Sequence, residues 1–393
     1  METSLKILFV PRWYPSRLDH MPGLFIRRQA EALAKKNEVR VISVHPDPDA
    51  VEKYEVVHTV ENSVRVCRVY YRPCSGFPLL SRLLGFIRYV RAHHMGYMSQ
   101  VPFSVDIVHG HIFTREIFFT WYMARKQKRP YVISEHWSRY FQGNLTYKGW
   151  LRKCMSRWLL KRSSGLIAVS EPLLKAMRGV HLEHPMSWVV PNVVDVSAYI
   201  PSIKKPENSK AVILHVSCFE NKSKNISGFL EALTELYKHR NDFIVQMIGE
   251  GPDYLALQQY AGELGLRYPQ LEFKGLKENA ELIELYQSAS FLVQSSYYET
   301  FGTVVVEALS CGLPVVSTGT GIAPGIIGKG NGIIIEQPHV DEIVKGIKEM
   351  LDIYSNFDRN KLHESVAGEF SGDSISEQLA VIYLEILRKW QKD

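Results

Sequence analysis

Ser295-Ser-Tyr-Tyr-Glu299-Thr-Phe-Gly302-Thr-Val-Val-Val-Glu307-Ala-Leu-Ser-Cys-Gly312-Leu-Pro314-Val-Val316 reads as the end of a strand, a loop, a helix and the start of another strand. The apolar run over 291–296 is short and bounded by polar residues, which suits a buried strand. A helix opens around Gly302–Thr303, and 314–318 begins the next strand just after Gly312. Strand, helix and strand in this order form a βαβ unit, and its right-handed crossover makes the strands parallel.

The same alternation runs through the chain. Strand candidates lie at 6–10, 39–45, 64–70, 106–111, 131–134, 165–170 and 188–191, then at 211–217, 243–249, 271–275, 291–296, 314–318 and 332–336. Amphipathic stretches separate most of them. In one, Ile226, Phe229, Leu230, Leu233 and Tyr237 form a single helical stripe. The pattern breaks at Pro201-Ser-Ile-Lys-Lys-Pro206-Glu-Asn-Ser-Lys210, a polar stretch flanked by prolines. The expected fold class is therefore α/β, with two Rossmann-like domains of parallel sheet. They are expected over 1–198 and 211–373, joined by a linker at 199–210. A last helix over 374–393 carries Leu379, Ile382, Tyr383, Ile386 and Leu387 on a face able to pack back on the first domain or onto the second.

Charge divides at the same place. Through Asp195 there are 29 Lys and Arg against 15 Asp and Glu, and beyond it 18 against 26. A basic half beside an acidic half implies different partners, with something anionic drawn to the first. With 46% hydrophobic and 22% charged residues among 393, the chain has an ordinary globular composition, which excludes disorder, collagen and coiled coil. No apolar run approaches the ~18 residues of a membrane-spanning helix. The run over 6–10 is too short for a signal peptide and stops at Pro11. Five scattered cysteines without a C-x-x-C pair read as reduced thiols in a cytoplasmic protein.

G-x-S-x-G, H-E-x-x-H, a complete G-x-G-x-x-G and a P-loop are all absent, which argues against serine hydrolases, zincins, NAD enzymes and P-loop ATPases. His109-Gly-His111 lacks the carboxylates that would complete a metal site, so no metal is expected. The stretch around Gly302 carries more. First-turn amides of a helix are unpaired and sit at the positive end of its dipole, so Phe301, Gly302 and Thr303 suit a phosphate. Glu299 before the helix and Glu307 within it suit the hydroxyls of a sugar and a ribose, because carboxylates accept paired hydrogen bonds. Structural readings stand beside these. Glu299 is then an N-cap neighbour, Glu307 a solvated helix residue, Gly23 a helix-start glycine, His136 a strand-end histidine, and Lys222 and Lys224 solvated loop charges.

In this stretch the chain resembles the retaining GT-B glycosyltransferases of glycosyltransferase family 4, also called group 1. Leu214-His-Val-Ser217, Lys224-Asn225, Gly249-Glu-Gly-Pro252, Phe273-Lys-Gly275, Ala308-Leu-Ser-Cys-Gly312 and Gly332-Ile-Ile-Ile carry the resemblance in the second half. Met21-Pro-Gly23-Leu-Phe-Ile-Arg-Arg, Asp106-Ile-Val-His109-Gly-His111, Ser134-Glu-His136-Trp and Val190-Pro-Asn192 carry it in the first. It departs at Ser217-Cys218-Phe219, where the family often has G-R-L; Lys222 or Lys224 then supplies the missing charge. Val193 stands where the family has a glycine.

The resemblance implies a GT-B fold, with sheets facing across a cleft, and transfer of a sugar from a nucleotide diphosphate sugar to a glycan or lipid-linked acceptor in surface polysaccharide or glycolipid synthesis. It assigns catalytic work to Glu299, Lys224 and His136, and donor binding to Gly23, Lys222, Lys224, Gly249, Phe301, Gly302, Thr303 and Glu307. No cofactor and no nucleic acid partner are expected. The competing readings are a nucleotide-sugar epimerase of the same fold and a non-catalytic membrane- or RNA-binding scaffold.

One stretch bears on location. No acidic residue occurs between Glu135 and Glu171, where seven Lys and Arg cluster. There Trp150, Leu151, Met155, Trp158 and Leu159 form an apolar helix face opposite Arg152, Lys153 and Arg157. Such a helix fits an anionic bilayer interface, which predicts peripheral attachment to the cytoplasmic leaflet; the alternative is a stripe packed on the first domain's sheet.

Overall fold

The computed structural model describes residues 4–74, 78–142, 144, 146–202 and 210–392, leaving aside the side chains of 78–80. The chain forms two compact units, one running to Val193 and resuming at Gly372, the other Val194–Ser371.

The first unit holds β1 (Lys6–Pro11), β2 (Glu38–Pro46), β3 (Tyr54–Glu61), β4 (Val64–Tyr71), β5 (Ile107–His111), β6 (Tyr131–Glu135), β7 (Leu166–Ala168) and β8 (Ser187–Val189). They form one sheet in the order β3-β4-β2-β1-β5-β6-β7-β8. Every pair is parallel except β3 with β4. The sequence reading missed β3, which is a half-exposed edge strand with little apolar signal. Its hairpin turns at Asn62 and Ser63, both at positive φ (45° and 71°), as a two-residue turn matched to strand twist requires.

On one face lie α1 (Leu24–Ala34) and the C-terminal helix Gly372–Trp390. Ile375, Leu379, Ile382, Tyr383 and Ile386 join Ile26, Ala30 and Leu33 in the core with β1 and β2. The last helix therefore returns to the first unit, and the Tyr383 hydroxyl reaches His109 Nδ1 at 2.7 Å. On the other face lie α2 (Pro78–Met98) and α3 (Glu116–Gln127), joined where His93 stacks on Phe119 at 4.0 Å. Next come α4 (Trp150–Arg162) and α5 (Glu171–Gly179).

The apolar face expected on α4 is split. Leu159 is buried and Trp158 packs on Trp121 of α3, while Trp150 (78% exposed) and Leu151 (66%) stay in solvent. The stripe is thus core at its C-terminal end and surface at its N-terminal end.

The second unit is a parallel sheet of β9 (Ala211–Val216), β10 (Phe243–Ile248), β11 (Leu271–Gly275), β12 (Phe291–Gln294), β13 (Val315–Thr318) and β14 (Gly332–Ile335), in the order β11-β10-β9-β12-β13-β14. Its helices include α6 (Asn221–Lys224), α7 (Ile226–Tyr237), α8 (Tyr254–Glu263), α9 (Asn279–Ser288) and α10 (Thr303–Ser310). The α7 stripe is core as expected, with Ile226, Phe229, Leu230 and Leu233 fully buried.

The division falls at Val193/Val194, before the expected end at 198. The segment beyond it is held by the second unit: Val194 N–H donates to Phe370 O, Tyr199 packs on Tyr286, and Gln287 Nε2 donates to Ile200 O. Of the linker expected at 199–210, residues 203–209 lie outside the described residues. Among the described residues no helix is long and apolar enough to cross a membrane.

Candidate functional site

In an open α/β sheet, ligands bind beyond the carboxyl ends of the strands. In the second unit the ends of β9 and β12 carry the Lys224 turn and the Glu299 loop. Asn225 adopts the left-handed conformation (φ 51°) and reverses the chain between α6 and α7. Ser295 Oγ donates to Lys224 O, and Tyr297 N–H donates to Ser223 O, so the two loops are tied together. Across that seam Lys224 Nζ meets Glu299 Oε1 at 2.6 Å, and Ser296 Oγ donates to the same oxygen at 2.8 Å. Both members of the pair are largely buried. Burial works against the Lys224 ammonium, yet the attraction of Glu299 outweighs it and raises its pKa above the usual lysine value. Lys222 sits exposed on α6. The structure brings Lys224, not Lys222, against Glu299.

Helix α10 opens at Gly302 in the left-handed region (φ 92°), and no side chain caps it. By contrast Ser170 Oγ caps α5 by accepting from Leu173 N–H. The N–H groups of Phe301, Gly302 and Thr303 have no acceptor among the described residues, so they remain available to an anion. Phe301 itself is core, packed on Phe370, and its carbonyl accepts from Ile322 N–H. Behind Gly302 lies Gln294, 4% exposed, whose Oε1 accepts from Ser317 Oγ while its Nε2 lacks a partner among the described residues. A Cβ on Gly302 would come within 3.3 Å of that Nε2.

Glu307 is buried rather than solvated. The Tyr286 hydroxyl donates to its Oε2 at 3.1 Å, and burial, reinforced by Glu307, pushes the Tyr286 pKa far up, so the phenol keeps its proton. Sequence reading missed Tyr286, which looks like one more aromatic on the apolar side of α9, and missed Gln294, which looks like a polar strand end.

Two of the expected glycines are explained by the chain itself. A Cβ on Gly249 (φ 131°) would lie 1.9 Å from Ser217 O, and one on Gly23 (φ 79°) 2.2 Å from Trp13 O. Each is needed for close main-chain packing whether or not a ligand approaches. Gly249→Ala is therefore expected to destabilise the second unit by roughly 3 kcal/mol or more, since backbone strain and a clash combine. Thermal unfolding followed by circular dichroism checks this; an unchanged melting temperature would contradict it.

His136 lies in the first unit with Gly23. It is buried, its ring is 4.7 Å from that of Phe25 on α1, and its Nε2 is 3.3 Å from His111 Nδ1. Burial lowers the His136 pKa to about 3, although Asn192 works in the other direction, so the ring is neutral near pH 7. Trp137, the next residue, packs its ring 5.0 Å from that of Trp13.

Residues 198–365 match the family Glycosyl transferases group 1, and residues 23–198 match Glycosyltransferase Family 4. The chain belongs to the group 1, family 4 glycosyltransferases. N-acetyl-alpha-D-glucosaminyl L-malate synthase of Bacillus anthracis is 25% identical over 244 residues, covering 59% of this glycosyltransferase chain and 62% of the relative. The 2-deoxystreptamine glucosyltransferase of Streptomyces kanamyceticus is 27% identical over 248 residues, covering 58% and 63%. The chain thus spans less than two thirds of the length of these curated relatives. Among solved structures, sucrose-phosphate synthase from Thermosynechococcus elongatus superposes with a TM-score of 0.77 at 15% identity, covering 98% of this chain and 100% of that one. Anabaena HepE, solved with UDP and glucose, gives 0.73 at 17% identity over 97% and 100%. These likenesses establish the GT-B fold expected from the sequence.

Proposed function

We propose that this glycosyltransferase moves a sugar, with retention, from a nucleotide diphosphate sugar to a glycan or lipid-linked acceptor in surface polysaccharide or glycolipid synthesis. The observation that carries the reading is the buried Lys224–Glu299 pair on the turn that leads into the uncapped start of α10. Lys224 and the amides of Phe301, Gly302 and Thr303 act together on the diphosphate. Charge that develops on the leaving group meets donors already in place, in surroundings poor in water. Glu299 orients the ammonium and takes sugar hydroxyls, while Glu307 takes the ribose. The relation of HepE, solved with UDP-glucose, supports a nucleotide-sugar donor. His136, being neutral, lines the sugar or acceptor side without carrying charge. The basic first unit works against the anionic cytoplasmic face of a membrane, as a peripheral protein.

Nucleotide diphosphate release, measured over a panel of donors with glycan and lipid-linked acceptors, tests the reading. Release that depends on an acceptor is expected. Release of free sugar or epimer alone indicates an epimerase, and no turnover with any donor overturns the proposal.

Glu307→Gln is expected to raise the donor KM about tenfold or more with little change in kcat, because ribose hydrogen bonds are made equally in ground and transition states. Gln keeps an acceptor for the Tyr286 hydroxyl, so the core stays satisfied. A fall in kcat at unchanged KM would contradict the assignment.

A further inference from the structure

The first unit contains a pocket of about 700 Å³, walled by α2, α3 and α4 and by the segment after β6. This is the size of a site for a small organic ligand. Its wall is mostly apolar, with Phe86 and Val90 from α2, Phe118 from α3, and Leu151, Met155 and Leu159 from α4. Four arginines, Arg12, Arg115, Arg139 and Arg152, share the lining with a single carboxylate, Glu116.

The arginines are not equivalent. Arg12 is paired with Glu116 at 3.0 Å. Arg115 lies over the Tyr89 ring at 4.6 Å, and Arg152 Nη1 donates to Thr146 O. Arg139 is 5% exposed, lies over the Trp137 ring at 3.4 Å, and has no ion-pair partner among the described residues; its Nε lacks any acceptor. Burial lowers its pKa, with only weaker opposition from Tyr140 and Glu135. A guanidinium taken out of water without a counter-ion is costly, and an anion in the pocket would remove that cost. Beyond the arginines, Glu116, Thr114 and Ser156, the surface of the pocket is apolar. It suits an aliphatic chain.

The surroundings point to where that chain comes from. Leu83 (59% exposed), Phe86 (49%) and Ile87 (51%) on α2, with Trp150 (78%) and Leu151 (66%) on α4, leave apolar side chains in solvent on two of the three helices that wall the pocket. Large exposed apolar surface flanked by cations is the character of a bilayer-contacting face.

We propose that this pocket binds a membrane lipid phosphate, its chain among Phe86, Val90, Leu151 and Met155 and its phosphate on Arg139. The lipid is thereby the class of acceptor, a step that rests on the glycosyl-transfer reading above. The pocket lies wholly within the first unit and its occupancy needs no donor.

Binding to the full chain is tested by titration calorimetry with monomeric dodecyl phosphate, dodecyl maltoside and inorganic phosphate. Dodecyl phosphate is expected to bind one per chain, at least about tenfold tighter than either control, since only it offers both chain and anion. Arg139→Gln and Leu151→Asp are each expected to weaken it about tenfold or more. Leu151 is mostly exposed, so its replacement leaves the fold intact even where Arg139→Gln does not. Equal binding of inorganic phosphate, equal binding of the maltoside, indifference to both substitutions, or no saturable binding each overturns the proposal. Since no turnover is read, a negative result leaves the donor chemistry standing, and a failed donor assay leaves this measurement valid.

Discussion

Replacing Lys224 by Ala is expected to lower kcat by about 10²–10³-fold while the chain stays folded, the scale seen when one preorganised donor to a developing oxyanion is removed. The ammonium is held at 2.6 Å from Glu299 in a largely buried setting, so in the proposed reaction no reorganisation would be needed as charge develops on the leaving diphosphate. Glu299→Ala is expected to cost a similar factor, because Lys224 then loses the carboxylate that keeps it charged and aimed. The double variant is expected to cost scarcely more than either single one, since the two act as a unit. Lys222→Ala, on the exposed part of the same turn, is expected to have little effect. Steady-state kinetics with circular dichroism on all four proteins checks the set. Near-normal turnover in Lys224→Ala together with a loss in Lys222→Ala would move the diphosphate role to Lys222. Simple additivity in the double variant would separate the roles of the pair.

Acid is expected to unfold the first unit. Burial is the main cause lowering the pKa of His45 and His93 to about 4 and of His136 to about 3, and it holds His109 and His111 well below the ordinary value. In the unfolded chain each titrates near 6.5. Below that pH the unfolded state takes up protons that the folded state refuses, so stability falls with falling pH, at roughly 1.4 kcal/mol per pH unit for each such histidine. The loss sets in at about pH 7.5, reaches its full slope below about pH 6 and continues towards 4; above about pH 7.5 these groups contribute almost no slope. The His111–His136 contact adds to it, because protonating both rings would set two donors against each other. All seven tryptophans belong to the first unit, so tryptophan fluorescence reports on it selectively. Urea midpoints at pH 8.5, 7.5 and 5.5 are expected to be level between the first two and to fall sharply at the third. A midpoint unchanged at pH 5.5 would show that these histidines take up protons in the fold as readily as in the unfolded chain, against the burial argument.

The amino-acid sequence alone determined the alternation of strands and helices, the start of α10 at Gly302–Thr303 and the stripe of α7. Those features depend on side-chain periodicity and on residues close in the chain. It also singled out Glu299, Gly302 and Glu307, because they lie on one loop and one helix. What it carried weakly was any feature lacking a strong local signal. Strand β3 alternates half-exposed residues at a sheet edge and was missed. The apolar face of α4 was found, but not that Trp158 and Leu159 turn inward while Trp150 and Leu151 stay in solvent.

Only the tertiary structure decided the partnerships. Lys224 meets Glu299 across 75 residues, Tyr286 reaches Glu307 from another helix, and the C-terminal helix returns to close over His109. It also decided that Gly23 and Gly249 are demanded by neighbouring carbonyls, and that Arg139 is buried with no ion pair among the described residues. Burial and pairing arise where distant segments converge, and the free energy of a charge or a hydrogen bond depends on that convergence rather than on the residues beside it in the chain.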